Sequence, residues 1–220
     1  MISGAACAAD VSKAVQPETM INRAKETKRI DVNRCCGLIL DVQESFLAKL
    51  DTYRRTKILG GIKDFAQLLG SFKIPIVVTL ERPVEKNGPL PQEIAEELQD
   101  GSATFEKSFF DLSREQPIAD HIAGLTKPQV IIAGCETDVC VLQSCLGLLS
   151  LDYEVYMIED LLFTDSSDVT AAVTRMKADG ATFVSYKSLF YELACTVEIE
   201  TTLERDPGRS PRTDISTDRR

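Results

Sequence analysis

Histidine, tryptophan and paired-cysteine motifs are what this chain has least of. A single histidine, His121, stands among 220 residues. A histidine-rich metal centre is therefore excluded by count, and a Ser–His–Asp hydrolase would have to be built on that one side chain. No apolar run approaches the ~20 residues that a membrane-spanning helix needs. Positive charge is in deficit: 25 Lys and Arg face 34 Asp and Glu, a formal net charge of -9. That balance argues against nucleic acid or an anionic membrane as a partner. The seven cysteines (7, 35, 36, 135, 140, 145 and 195) contain no C-x-x-C pair, and an odd number cannot close completely into internal disulfides. Free thiols imply a reducing compartment, so a cytoplasmic location is expected. MISGAACAAD has neither a basic start nor a long apolar core, and is not read as a signal peptide. G-x-G-x-x-G, Walker A and G-x-S-x-G motifs are all missing.

What is present is a regular alternation. Residues 1–33 are polar and weakly periodic, and are read as an N-terminal extension with a short helix at PETMINRAKETKR. Residues 205–220 are dense in charge, Pro, Gly and Ser, which reads as a disordered tail. Between them, 34–204 forms one domain. CGLILDV, PIVVTL, ATFEK, QVIIAG, EVYMIED and ATFVSY read as six strands. The stretches between them read as helices: 52–72, with Gly-Gly as a weak spot, then QEIAEEL, 117–125, 138–151, 166–180 and a closing SLFYELAC. Continuously apolar strands alternating with helices predict an α/β fold: a three-layer α/β/α sandwich around a mainly parallel six-stranded sheet. Ligands of such sheets bind at the carboxyl ends of the strands.

Three strand ends carry chemistry. GCETDVC places Cys140 where a buried strand turns into a helix, so helix N–H groups and dipole would favour a thiolate and receive an oxyanion. A cysteine in an apolar helix is more often a small core residue, and Cys135 and Cys145 fit that reading better. Asp41 closes the apolar strand of LILDVQESF. It either caps the following turn or serves as a base for Cys140. Lys107, in ATFEKSFF, is a surface lysine by default, and near Cys140 it would hold the thiolate. Gln43, Phe46, Thr79, Glu81, Phe109, Glu136 and Val139 stand at the other strand ends as expected walls of a substrate pocket. Glu81 and Arg82 could instead pair with each other.

With these residues in place, LILDVQESF, FEKSFF and VIIAGCETDVCVLQSCLGLLSLDYEV together resemble the isochorismatase-like cysteine hydrolases, over about residues 34–195. The resemblance implies a Cys140–Asp41–Lys107 triad without histidine, a thioester acyl-enzyme, and no metal or other cofactor. It further implies a non-proline cis peptide at Cys135–Glu136, with the backbone N–H groups of Glu136 and Cys140 as the oxyanion hole. Nicotinamidases of this family carry Asp-x-His and a further His for a metal ion, which this chain lacks. Isochorismate hydrolases lack the cysteine. IPIVVTLERPVEKNGPLPQEI is similar to the YcaC-like subgroup, which implies a homo-oligomer acting on a small molecule. An amide or ureido C–N bond is the expected target. A catalytically silent interaction protein and a thiol redox protein using Cys140, with Cys145 or Cys135 as resolving thiol, are the alternatives.

Overall fold

The computed structural model describes residues 28–204, apart from the side chains of residues 201, 202 and 204. The tail expected to be disordered, and all but Lys28 and Arg29 of the expected N-terminal helix, lie outside the described residues.

Stretches that are apolar on both faces are stable only inside a covered sheet. β1 (Cys35–Leu40) and β4 (Gln129–Cys135) are buried at every position and lie side by side. With β2 (Ile76–Glu81), β3 (Ala103–Lys107), β5 (Glu154–Phe163) and β6 (Thr182–Val184) they form one sheet in the order β3-β2-β1-β4-β5-β6, and every pairing is parallel. The chain runs outward from β1 through β2 to β3. It then returns to the other side of β1 for β4, so the switch point is the crevice between the ends of β1 and β4.

The helices, in chain order, are α1 (Glu44–Leu47), α2 (Thr52–Ser71), α3 (Val84–Asn87), α4 (Gln92–Ala95), α5 (Gln116–Gly124), α6 (Leu142–Ser150), α7 (Thr170–Ala178), α8 (Tyr186–Ala194) and α9 (Val197–Glu204). Successive side chains of a strand point to opposite faces. Cys35 and Ile39 of β1 therefore join Ile62, Phe65 and Leu69 of α2 and Leu189 of α8 in one core. Cys36, Leu38 and Leu40 join Ile118 of α5, Cys145 and Leu148 of α6 and Met176 of α7 in the other. The two cores are the two interfaces of a three-layer sandwich, as the alternation of strands and helices predicted.

Several boundaries differ from the sequence expectation, each for a local reason. α2 runs unbroken through the Gly-Gly step. A β-carbon on Gly61 would lie 2.5 Å from Leu161 Cδ2, so a larger residue there would require the Leu161 side chain to shift. QEIAEEL makes only the single turn of α4. The helix expected over 138–151 is a π-helical turn, Thr137–Val141, followed by α6. The helix expected from Ser166 starts at Thr170, because Ser166 is engaged elsewhere, as described below. Residues 28–33, the end of the expected extension, are tied to the domain. Ile30 is buried, its N–H donates to Glu192 Oε2 at 2.9 Å, and Asp31 N–H donates to Gln129 Oε1 at 2.8 Å.

Candidate active site

Each functional side chain hangs from the carboxyl end of a different strand. Asp41 leaves β1 with φ at 53°, a left-handed conformation that aspartate tolerates better than most residues. Its N–H donates to Thr79 O at 3.0 Å. On the neighbouring strand Gly134 has φ at 130°, and a β-carbon there would lie 2.0 Å from Leu40 O. Only glycine lets the ends of β1 and β4 approach in this way. The chain then passes a cis peptide bond, Cys135–Glu136, and enters the π turn that carries Cys140. Turns of this kind recur at functional sites. The start of the turn is tied by Asp138, whose carboxylate accepts from Thr164 Oγ1 at 2.8 Å and Ser166 Oγ at 2.6 Å.

Asp41, Lys107 and Cys140 converge in the crevice. Lys107 is fully buried and gives its three ammonium protons three neighbours: Asp41 Oδ2 at 2.7 Å, Phe109 O at 3.2 Å and Cys140 Sγ at 3.4 Å. Asp41 Oδ1 accepts from Thr79 Oγ1 at 2.8 Å, whereas Oδ2 meets the ammonium as an ion pair and accepts no well-aligned hydrogen bond. Glu81, in register with Lys107 across β2 and β3, brings Oε2 to 3.1 Å from Cys140 Sγ and 3.9 Å from Lys107 Nζ. The donor atoms of Asp41, Glu81 and Cys140 lie within 4.8 Å of one another, close enough to hold a cation. The Lys107 ammonium already supplies the positive charge at that cluster.

Burial sets the protonation states. It pushes the Cys140 thiol well above its ordinary range, the nearby Asp41 charge adds to the effect, and Lys107 opposes it. Burial thus works against the thiolate that helix dipole and lysine alone would favour. Burial likewise raises Asp41, against the pull of Lys107. Burial alone would lower Lys107, but its ion pair with Asp41 and its other contacts in the cluster outweigh burial and raise it.

The expected pocket residues divide into two groups. Gln43 and Thr79 are fully buried, with their polar atoms held by protein partners. Gln43 accepts from Glu81 N–H at 2.7 Å and donates to Gly88 O at 2.7 Å and Glu81 O at 3.2 Å, which pins the end of β2 and the loop after it. Glu81, Val139 and Phe109 keep exposed surface, and Phe46 is nearly covered. Arg82 pairs with Glu106 at 3.0 Å, not with Glu81. Glu136 caps the π turn, and its side chain pairs with Lys49 at 2.8 Å. Two contributors escaped the sequence reading. Asn87 donates to Glu81 O at 3.2 Å, and Lys49 bridges Glu136 and Asp165. The Asn-Gly pair at 87–88 was the available signal for the first. Nothing local marks the second.

This geometry can be set beside known proteins. The Isochorismatase domain model matches residues 35–188. A Phytophthora sojae relative, described as a secreted isochorismatase effector, is 29% identical over 162 residues, covering 71% of this chain and 75% of its own. YcaC from Pseudomonas aeruginosa, solved with hexane-2,5-diol and covalent acrylamide, superposes with a TM-score of 0.73 at 26% identity, over 78% of this chain and 85% of that one. YcaC from Escherichia coli, described as an octameric hydrolase of unknown specificity, gives 0.75 at 22% identity, over 81% and 88%. Among the described residues no helix is long and apolar enough to cross a membrane. The domain match spans the whole sheet and every strand end of the crevice, and on it the chain belongs to the isochorismatase family of hydrolases.

Proposed function

We propose that the protein is a metal-independent cysteine hydrolase that opens a small amide or ureido C–N bond through a thioester on Cys140. The observation that carries this reading is the contact of Lys107 with both Asp41, at 2.7 Å, and Cys140, at 3.4 Å, in a fully buried cluster. A structural lysine has no need to be sealed from solvent against a thiol, whereas a nucleophile at neutral pH needs both a base and a fixed positive charge.

The chemistry follows from the protonation states. The neutral thiol loses its proton to Asp41 as sulfur attacks the carbonyl carbon. A carboxylate whose proton affinity is raised by burial is the better acceptor. Lys107 balances the charge that passes from sulfur to the carbonyl oxygen, and the backbone N–H groups of Glu136 and Cys140 receive that oxygen. Asp41 then gives the proton to the departing nitrogen, and water hydrolyses the thioester. Cys140 is only 2% exposed, which favours a small substrate. The Glu81 carboxylate beside the sulfur favours one with N–H donors. The covalent acrylamide in the Pseudomonas aeruginosa YcaC structure fits a family site that carries a nucleophile.

The redox alternative is weaker. Cys135 and Cys145 are fully buried with thiols held protonated by burial, and Cys135 donates to Asp41 O at 2.9 Å, so neither is poised as a resolving thiol. A homo-oligomer is proposed by analogy with the octameric YcaC relative, and light scattering on the purified chain tests it.

Labelling with acrylamide and peptide mapping tests the central claim. One adduct is expected, on Cys140, slowed sharply in Asp41→Ala and Lys107→Ala, together with turnover of some member of a panel of small amides, ureides and thioesters. Uniform labelling of accessible cysteines, with no turnover across the panel, would sink the reading.

A further inference from the structure

Two carboxylates flank the Cys140 sulfur, and their access to solvent differs. Asp41 is 0% exposed, with Oδ1 held by Thr79 and Oδ2 against Lys107. Glu81, at the end of β2 between the strands that carry Lys107 and Asp41, has 22% of its side chain exposed, and Oε2 sits 3.1 Å from the sulfur. Its main chain is fixed on both sides, by Gln43 Oε1 at its N–H and by Gln43 and Asn87 at its carbonyl. A rim carboxylate with no task at the sulfur would not require such a frame.

Resting on the Cys140 reading above, we propose that Glu81 is the general base of the second half-reaction. Hydrolysis of the acyl-enzyme needs a water that arrives from solvent and a base that can meet it there. Of the two carboxylates only Glu81 satisfies both conditions. The water oxygen bonds to the thioester carbonyl carbon while its proton passes to Glu81 Oε2. The tetrahedral intermediate then collapses. The C–S bond breaks, its electron pair stays on Cys140 Sγ, and Glu81 returns the proton to that sulfur. The end state of this step is the Cys140 Sγ–H to Glu81 Oε2 hydrogen bond that the structure contains. Asp41 and Glu81 thus divide the cycle, one serving acylation from the sealed side and the other deacylation from the open side.

The two halves separate with p-nitrophenyl acetate, which acylates without needing a protonated leaving group. The unsubstituted chain is expected to release one equivalent of nitrophenol per chain and then turn over. Glu81→Gln is expected to keep the one-equivalent burst and accumulate acetyl on Cys140 by peptide mapping, with steady-state turnover about 100-fold lower. Hydroxylamine, a nucleophile that needs little base assistance, should accelerate Glu81→Gln more than the unsubstituted chain, and Glu81→Asp should recover part of the rate. Deacetylation of Glu81→Gln at the unsubstituted rate overturns the proposal and leaves the Cys140 reading intact. Equal loss of burst and turnover also overturns it, since that is the signature of a purely structural residue. Absence of acetylated Cys140 in the unsubstituted chain overturns both.

Discussion

Lys107 Nζ lies 2.7 Å from Asp41 Oδ2, although the strands that carry them never pair. β2 stands between β1 and β3, so the ammonium must reach across it, beside Glu81 and Thr79. The contact therefore closes the open end of three strands at once. Neither charge touches solvent, so each depends on the other.

Breaking the pair on one side should be expensive. Lys107→Met leaves a buried carboxylate uncompensated, and a loss of roughly 3–5 kcal/mol in unfolding free energy is expected. The double variant Asp41→Asn/Lys107→Met should lose much less than the sum of the single changes. Urea denaturation of the three variants measures the difference as a coupling energy.

Cys140→Ala should separate activity from stability. Turnover should fall by at least about 10³-fold, since the residual rate of such enzymes comes from binding and the oxyanion site alone. Stability should move by less than about 1 kcal/mol, because the change removes one sulfur and no charge pair. Steady-state assays and thermal melts on the same preparation check both halves.

Alkaline pH should weaken the fold. Burial pushes the thiols of Cys35, Cys36 and Cys145 up to about 12, from about 9 when solvated. Below pH 9 both states hold these protons and the full stability is present. Between 9 and 12 the unfolded chain sheds them and the folded one does not, so stability falls as pH rises. The slope is about 1.4 kcal/mol per pH unit for each thiol. Denaturation at pH 7, 9 and 10.5 should trace this decline, and Cys36→Ala should make it shallower.

Gly134→Ala should damage the crevice more than the core. A methyl group 2.0 Å from Leu40 O cannot be accommodated without parting β1 from β4, and the backbone there is left-handed. A loss of about 3 kcal/mol or more is expected. Any folded fraction should label slowly at Cys140, because Asp41 and the π turn sit on the two strands forced apart.

Gln43→Ala tests a residue that acts through another. It strips three hydrogen bonds from the Glu81–Gly88 backbone and leaves buried groups unpaired, at about 1–3 kcal/mol. Acylation should be nearly retained while deacylation slows, a split that stopped-flow measurement resolves.

The sheet was legible because its strands carry their own signal. Near-continuous apolar runs such as QVIIAG have no stable alternative to a covered interior strand, and the end of each run marks where a ligand can sit. Asp41, Lys107 and Cys140 were visible for that reason. The thiol's protonation was not. It depends on burial, and the Cys140 sulfur is closed in by strand ends far away in the sequence, with Glu81 and Lys107 against it. The π turn was hidden as well, since TDVCVLQ has the apolar spacing of an ordinary helix start. The partners of Gln43 could not be foreseen either. A glutamine three residues beyond a strand end gives no sign of which backbone it will hold until the loop at 81–88 is seen to fold over it.

The approach of β1 to β4 at Gly134 also bears on when the thiol becomes reactive. Asp41, Glu81, Lys107 and Cys140 come from four separate strand ends, and nothing short of the finished sheet brings them together. A nascent or unfolding chain carries seven ordinary cysteines and no nucleophile among them. On the proposed reading, selective labelling of Cys140 over the other cysteines needs these strand ends together, so that selectivity doubles as a gauge of native structure.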